Sequence, residues 1–271
     1  MLISELPSAL ACFDALAERL AGRRAALFLD YDGTLTPIAA QPDQALLPAA
    51  TRPVLQRLAR LCPVALVSGR DLATLRRLVE LEGVTYAGEH GFDILHPDGS
   101  SAQPPEVAAL VPQIDAAEAD LRRRLGGLEG VVLERKRFSV AVHYRHVAEA
   151  AVGQVQAAVA AQLERHPQIK AMSGKKVFEL QPALDWHKGR AVLALMAQEG
   201  IGEGIGLEHL PIFLGDDVTD ETAFEALGER GVCIVLEGEV DRETAARLRL
   251  VDPGEVRTFL ERLADLLERR P

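Results

Sequence analysis

Two aspartates separated by one residue, Asp30 and Asp32, are the first side chains that could do chemistry together. They follow an apolar run, residues 25–29, of the kind that forms a buried strand. Alternate residues of an extended chain share a face, so both carboxylates would point to one side at the carboxyl end of that strand. Open α/β sheets bind their ligands at this end. The alternative is that Asp32 and Gly33 form a simple turn and Asp30 caps a helix.

A second acidic stretch, residues 215–221, begins where an apolar run ends. Its aspartates Asp216, Asp217 and Asp220 would repel one another unless a cation or a helix N-terminus relieves them. Hard oxygen ligands at the end of a strand suit Mg²⁺. Equally, Asp217 and Asp220 with Glu221 could be ordinary capping acids.

Two further positions suit a phosphate. Ser68-Gly69-Arg70 joins an apolar run to the start of a helix, where free N–H groups and the helix dipole favour an anion. Lys188 opens another helix, where the dipole disfavours a cation, and this suggests a bound anion. The alternatives are that Ser68 or Asp71 is an ordinary N-cap and that Lys188 is a solvated lysine.

Alternating strands and helices must position these groups. Residues 1–104 and 183–271 predict an α/β core with a parallel sheet, because strand and helix patterns alternate along both segments. Residues 105–182 instead predict an inserted α+β unit with an antiparallel sheet. We predict core strands at about 25–29, 64–67, 84–87, 211–214 and 232–236, and core helices at about 8–22, 48–61, 71–79, 186–198, 220–227, 241–247 and 254–269. In the inserted unit we predict helices at about 105–125 and 147–165, and strands at about 131–135, 138–145, 169–172 and 176–181.

Composition narrows the class of protein. The chain has 271 residues, 48% of them apolar, which is enough for a sizeable core. A net charge of −10 argues against a nucleic-acid partner. The three cysteines, Cys12, Cys62 and Cys233, lack metal-site spacing, so we expect core thiols in a cytoplasmic protein. The sequence predicts no signal peptide and no membrane span, hence no membrane partner. We also expect a monomer.

The order of these motifs resembles the haloacid dehalogenase (HAD) superfamily of phosphotransfer enzymes. The matching segments are DYDGT at 30–34, SGR at 68–70, Lys188 and GDDVTD at 215–220. Further segments, including AGEHG, LERKRFSVAVHYR, SGKKVFELQP and HKGRAV, resemble the trehalose 6-phosphate phosphatase branch. The resemblance implies an HAD-like Rossmannoid core with an α+β cap. His187 departs from the family pattern, which usually has Asn before the lysine. The change leaves Lys188 in place and bears on its fine positioning.

The resemblance implies a role for each core motif. Asp30 would be the nucleophile that forms an aspartyl-phosphate, and Asp32 would be first the general acid and then the general base. Ser68 and Lys188 would hold the phosphoryl oxygens. The implied metal is Mg²⁺, held by Asp30, the Asp32 carbonyl and Asp216, with Asp217 or Asp220 completing the site.

The inserted unit would supply the sugar contacts. Alternation along residues 138–145 and 177–181 places apolar side chains on one sheet face and polar ones on the other, which without the resemblance would be a solvated face. The resemblance implies that this polar face closes over the core and binds the sugar. The expected substrate-binding residues are Gly69, Arg70, Glu89, His90, Lys136, His143, Arg145, Gly174, Lys175 and Glu179.

The leading interpretation is therefore a phosphatase that releases trehalose and phosphate from a small sugar phosphate. A HAD phosphatase for sucrose phosphate or mannosyl-phosphoglycerate would share the same chemistry. A phosphomutase fits the two aspartates but not the cap motifs. A regulator that binds sugar phosphates without hydrolysing them would not need all of the catalytic positions to be intact.

Overall fold

The computed structural model describes residues 1–39, 44–174, 176–198 and 209–270. The chain divides into two compact units. The first unit combines Met1–Ala102 with Trp186–Pro271, and the second is Gln103–Asp185. The sequence analysis placed this boundary at 105 and 182, within three residues of the observed one.

The elements of the first unit follow in chain order, with those of the second unit inserted after β5. Up to the insertion they are α1 (Phe13–Leu20), β1 (Arg24–Leu29), α2 (Thr51–Leu61), β2 (Val64–Val67), α3 (Leu72–Val79), β3 (Thr85–Gly88), β4 (Asp93–Leu95) and β5 (Ser101–Ala102). The second unit contains α4 (Val107–Leu125), β6 (Val132–Arg135), β7 (Val140–His143), α5 (Val152–Arg165), β8 (Ile169–Gly174) and β9 (Val177–Pro182). The first unit then resumes with α6 (Lys188–Gln198), β10 (His209–Gly215), α7 (Val218–Leu227), β11 (Val232–Leu236), β12 (Leu248–Leu250) and α8 (Pro253–Glu268).

The first unit is built on a sheet with the strand order β12-β11-β10-β1-β2-β3-β4-β5. The first six strands in this order, from β12 to β3, pair in parallel with their neighbours. Strands β4 and β5 pair antiparallel and extend the sheet at one edge. Residues 25–29 of the central strand β1 are buried, as expected for a strand covered on both faces. This arrangement confirms the predicted α/β fold class.

Helices cover both faces of this sheet. Leu27 and Leu29 of β1 belong to the apolar cluster that includes α1, α2, α3 and α8. The alternate residues Ala26 and Phe28 belong to the cluster that includes α6 and α7. Aspartates begin three of the helices, since Asp71, Asp217 and Asp252 each accept a hydrogen bond from a backbone N–H of the first turn.

The predicted helix at 241–247 is wrong. These residues are irregular and lead into β12, which pairs in parallel with β11. Their backbone groups bond to distant parts of the chain: Ile3 N–H donates to the Arg242 carbonyl, and Thr244 N–H donates to the Met1 carbonyl. These tertiary hydrogen bonds satisfy the backbone without a helix. The edge strands β4 and β5, on either side of residues 96–100, were not predicted.

The second unit has its own core. Its four strands form an antiparallel sheet in the order β6-β7-β9-β8. Val140, Val142 and Leu180 on one face of the sheet pack with α4 and α5 in a separate apolar cluster. The unit is therefore an α+β domain whose second sheet face carries the polar residues. Across the described residues of both units, no helix is long and apolar enough to cross a membrane.

Candidate active site

Sheet register brings the predicted motifs to one edge of the first unit. Leu29, the last residue of β1, pairs with Leu214 of β10 and with Leu66 of β2. Asp30, Asp216 and Ser68 therefore follow neighbouring parallel strands at their common carboxyl end. Asp30 N–H extends the ladder by donating to the Leu214 carbonyl at 2.9 Å. The structure thus brings the motifs together for the reason that the sequence analysis gave.

The turn after Asp30 is tight and requires a glycine. Leu35 and Thr36 N–H both donate to the Tyr31 carbonyl, and Gly33 N–H donates to the Thr36 carbonyl. Gly33 has φ +82°, and a Cβ there would lie 2.1 Å from the Asp216 carboxylate. Any larger residue would be strained and would push Asp216 away. Thr34 Oγ1 also donates to Asp216 Oδ1 at 3.1 Å.

Lys188 links two of the carboxylates. Its Nζ donates to Asp30 Oδ1 and to Asp220 Oδ1, both at 2.7 Å. All three side chains are buried, and Asp220 is 0% exposed. Burial alone would lower the pKa of Lys188, but the two carboxylates raise it well above its usual value. The ammonium is therefore a fixed positive charge beside Asp30.

Asp30, Asp216 and Asp220 form a compact acidic group. Carboxylate oxygens of the three lie within 4.8 Å of one another. Burial raises the pKa of Asp216 to about 6, with a further contribution from Asp220. Burial also raises the pKa of Asp30 well above its usual value, although Lys188 opposes the shift. Burial is the main cause of both shifts, and the oxygen donors of the group fit a hard divalent cation.

Asp217 lies outside this group, although it was a predicted metal ligand. Its side chain is exposed and accepts from Val218 N–H at 2.7 Å as the cap of α7. Asp220 Oδ2 accepts from the backbone N–H groups of Asp216 and Asp217, at 3.1 and 3.0 Å. Because its Oδ1 also accepts from Lys188, Asp220 both holds the loop at residues 216–217 and adds negative charge to the acidic group. The residues with oxygens in the group are thus Asp30, Asp216 and Asp220.

The Arg70 guanidinium holds Asp32. Arg70 Nε donates to Asp32 Oδ2 and Arg70 Nη2 to Asp32 Oδ1, both at 2.6 Å. The sequence analysis expected Arg70 to bind the substrate and did not predict this pair. Ser68, 1% exposed, accepts from Arg70 N–H at 3.2 Å.

Glu89 and His90 are tied to the Ser68–Arg70 loop through the backbone. Glu89 N–H donates to the Arg70 carbonyl at 2.7 Å, and His90 N–H donates to the Ser68 carbonyl at 2.8 Å. Both residues have positive φ angles, 48° and 58°. A Cβ at Gly69 would lie 2.8 Å from the His90 ring, so Gly69 permits this close packing. The predicted residues of these two loops, 69–70 and 89–90, therefore lie against one another.

Polar residues of the second unit line the open face of its sheet. Glu179 Oε1 accepts from Lys136 Nζ at 2.8 Å and from Ser139 Oγ at 2.7 Å. His143 Nε2 lies 2.9 Å from Glu134 Oε2, and this contact lowers the pKa of Glu134. The predicted Arg145 is exposed, and Gly174 ends β8. The predicted Lys175 lies outside the described residues.

One supporting residue, Arg242, was not predicted from the sequence. Arg242 Nη2 donates to the Asp216 carbonyl at 3.0 Å, and its Nη1 pairs with Glu221. Glu221 in turn accepts from Ala245 N–H at 2.8 Å. Arg242 is 26 residues away from Asp216 and belongs to no motif, so the sequence carried no signal for this contact.

The sequence of the chain is similar to those of known proteins. A family model described as trehalose-phosphatase matches residues 28–253. The trehalose-phosphate phosphatase of Mycobacterium tuberculosis is 44% identical over 271 residues, covering 99% of this chain and 68% of that protein. That of Mycolicibacterium paratuberculosis is 44% identical over 275 residues, covering 98% and 69%.

Solved structures give the same fold. The C-terminal domain of C. albicans trehalose-6-phosphate phosphatase aligns with a TM-score of 0.78 at 22% identity, covering 96% of this chain and 98% of that one. Aspergillus fumigatus trehalose-6-phosphate phosphatase aligns with a TM-score of 0.65 at 25% identity, covering 96% and 99%. The sucrose-phosphatase of Synechocystis shares the fold at 17% identity and a TM-score of 0.54, covering 90% and 98%.

Proposed function

The chain belongs to the trehalose-phosphatase family, and we propose that it hydrolyses trehalose 6-phosphate to trehalose and phosphate through an aspartyl-phosphate on Asp30. Family membership confirms the resemblance found in the motifs. The observation that carries the proposed chemistry is Asp30 itself, a buried carboxylate bonded to Lys188 and grouped with Asp216 and Asp220. A buried acid with a strongly perturbed pKa at the carboxyl edge of a sheet favours a catalytic role.

In the first step, an Asp30 oxygen attacks phosphorus and the bond from phosphorus to the sugar oxygen breaks. Asp32 gives a proton to the departing oxygen, so the sugar leaves as a neutral alcohol. In the second step, Asp32 takes a proton from water, which attacks the same phosphorus and releases Asp30 and phosphate. Lys188 holds Asp30 in place and, with Ser68, offers hydrogen bonds to the phosphoryl oxygens.

We propose Mg²⁺ as the cofactor. Asp30 and Asp216, with the Asp32 carbonyl, would hold it, and Asp220 would support the loop. A divalent cation there neutralises the charge of the carboxylates and of the phosphate ester. The three clustered carboxylates support this assignment, because they outnumber the single positive charge of Lys188 and a cation would offset the remaining negative charge.

Sugar recognition is assigned to the second unit, with the phosphate held by the first. We propose that Lys136 and Glu179, supported by His143, Arg145 and Gly174, bind the sugar hydroxyls. A bonded Lys–Glu pair offers both donors and acceptors to hydroxyl groups.

We also propose a monomer in the cytoplasm. The free thiols Cys12, Cys62 and Cys233 support that compartment.

The experiment is phosphate release from a panel of disaccharide phosphates, measured with Mg²⁺ and with excess chelator. The panel contains trehalose 6-phosphate, sucrose phosphate and mannosyl-phosphoglycerate. We expect release from trehalose 6-phosphate to exceed release from the other two and to stop in chelator. Preference for another ester would reassign the substrate, and undiminished release in chelator would reject the cofactor. The absence of release from any ester would favour a binding regulator.

A further inference from the structure

The pairing of Arg70 with Asp32 is more specific than a substrate-binding arginine requires. Both nitrogens of one edge of the guanidinium meet the two carboxylate oxygens at 2.6 Å, a bidentate arrangement. Such forks fix the plane and direction of a carboxylate as well as its position. The Arg70 side chain is 12% exposed and that of Asp32 is 38% exposed. The guanidinium is therefore largely buried, whereas the Asp32 carboxylate remains accessible to solvent.

Arg70 is itself held at several points. Its backbone N–H donates to Ser68 Oγ at 3.2 Å, and its carbonyl accepts from Glu89 N–H at 2.7 Å. Its guanidinium lies 5.6 Å from the centre of the Tyr31 ring. Tyr31 is fully buried and donates its hydroxyl to the Ala45 carbonyl at 2.7 Å. The guanidinium is therefore a fixed reference against which Asp32 is oriented.

The Asp32 backbone leaves the side-chain direction open. Asp32 precedes the left-handed Gly33 and makes one isolated bridge with Thr36. This turn sets the position of its Cα, but not the rotamer of a half-exposed carboxylate. The guanidinium stays protonated in proteins, so Arg70 cannot exchange the proton itself and can only orient the group that does.

We propose that Arg70 is a positioning residue that orients Asp32 for proton transfer to the leaving group, and is not chiefly a phosphate or sugar ligand. This inference rests on the proposed function, which makes Asp32 the acid. Loss of orientation would slow the step that needs a proton and spare the step that does not. Proton transfer by a positioned side chain typically contributes about 10²–10⁴-fold to the rate.

The experiment compares two esters that differ in their leaving group. Trehalose 6-phosphate releases an alkoxide that must be protonated, whereas p-nitrophenyl phosphate releases a stabilised phenolate that need not be. Because Asp32 also serves both esters as the base of the second step, the rate compared is that of the first turnover, read as the burst of released sugar or nitrophenolate. For Arg70→Met we expect this first-turnover rate to fall roughly 100-fold with trehalose 6-phosphate and only a few-fold with p-nitrophenyl phosphate, with KM little changed. Arg70→Lys, which keeps the charge but loses the fork, should fall between the wild type and Arg70→Met.

The double variant Arg70→Met/Asp32→Asn separates positioning from binding. If Arg70 acts through Asp32, the double variant is no slower on trehalose 6-phosphate than Asp32→Asn alone. Arg76→Met, on the exposed side of α3, the helix that follows the Arg70 loop, is the matched control and should behave as the wild type. Equal losses on both esters, a rise in KM alone, or additive losses would overturn the proposal.

The same measurements separate this inference from the proposed function. If Asp32→Asn slows the first turnover of both esters equally, Asp32 is not the acid and the proposed mechanism fails. If Asp32→Asn shows the leaving-group dependence and Arg70→Met does not, only the positioning role fails. Urea unfolding of each variant shows whether an activity loss reflects unfolding.

Discussion

Lys188 shows how one residue type at one position indicates chemistry. A cation at the first position of a helix is unfavourable, because it meets the positive end of the helix dipole. The sequence analysis took this as a sign of a bound anion. In the structure the compensating anions are Asp30 and Asp220, each 2.7 Å from its Nζ. The lysine therefore has protein partners even before a phosphate binds, and its role toward phosphate stays a prediction.

Asp216 predicts a pH dependence of stability in the metal-free protein. Its folded pKa of about 6 exceeds the unfolded value of 3.8, so the folded state binds the proton more tightly. The resulting stability is complete below pH 3.8 and is lost as the pH rises through 6. The loss is up to roughly 3 kcal/mol for a shift of this size. Urea unfolding in chelator should therefore show wild type losing stability relative to Asp216→Asn between about pH 4 and pH 6.5.

Added Mg²⁺ should reverse this loss. A cation that binds only the folded, ionised site adds stability by mass action, and it does so best above pH 6. Asp217→Asn, whose carboxylate caps α7 outside the acidic group, is the control and should keep the response to Mg²⁺. Parallel pH profiles for wild type and Asp216→Asn would contradict the account of Asp216.

Among the elements, α6 and α7 cross closely enough to exclude any side chain at Gly189. A Cβ there would lie 2.1 Å from the Thr222 carbonyl and 3.1 Å from Ala226. Gly189 N–H also donates to Thr222 Oγ1 at 3.1 Å. Because Gly189 follows Lys188 directly, this crossing sets the distance from the ammonium to Asp30 and Asp220.

Gly189→Ala should therefore disturb both stability and catalysis. We expect a loss of roughly 1–3 kcal/mol in the free energy of unfolding, as for other overpacked sites, and at least a tenfold fall in kcat. Gly153→Ala is the matched control, since it lies in α5 with no atom within 4 Å of the added Cβ, and it should be neutral or slightly stabilising. Urea unfolding and phosphate release measure the two effects. If Gly189→Ala behaved like Gly153→Ala, the crossing would not position Lys188.

The sequence predicted the elements that follow local periodicity. The strands at 64–67 and 232–236 match the observed β2 and β11, and the meeting of Asp30, Ser68 and Asp216 follows from the parallel topology alone. The irregular segment 241–247 could not be predicted, because its backbone partners Met1 and Ile3 are more than 230 residues away. The Arg70–Asp32 pair and the Arg242 contact could not be predicted from the sequence for a similar reason, since side chains on separate loops meet only after folding.

For the whole molecule, charge is divided unequally between the two units. Residues 103–185 carry eleven Lys and Arg against ten Asp and Glu, so the remainder of the chain has a net charge of −11. The acidic unit is the one that holds the proposed phosphate site. An anionic ester would be repelled there without local positive charge, which Lys188 and a divalent cation would supply.

The division into two units also predicts a division of specificity. Glu179→Gln should reduce kcat/KM for trehalose 6-phosphate at least tenfold, because it removes an acceptor proposed for the sugar hydroxyls and weakens the bond to Lys136. Hydrolysis of p-nitrophenyl phosphate, which has no sugar, should change little. Glu164→Gln, at an exposed position of α5 in the same unit, is the matched control. Equal losses on both substrates for Glu179→Gln would count against a role in reading the sugar.

The central claim is that phosphate passes through the side chain of Asp30. The most direct measurement is to quench the enzyme in acid during turnover of trehalose 6-phosphate with Mg²⁺ and to treat it with borohydride. Borohydride reduces an acyl phosphate to an alcohol and would leave homoserine in place of aspartate, which peptide mass spectrometry detects. We predict homoserine at position 30 when substrate and Mg²⁺ are both present and none when either is omitted. Rapid phosphate release with homoserine at a position other than 30 would contradict the account. So would the absence of homoserine both in wild type and in Asp32→Asn treated with p-nitrophenyl phosphate.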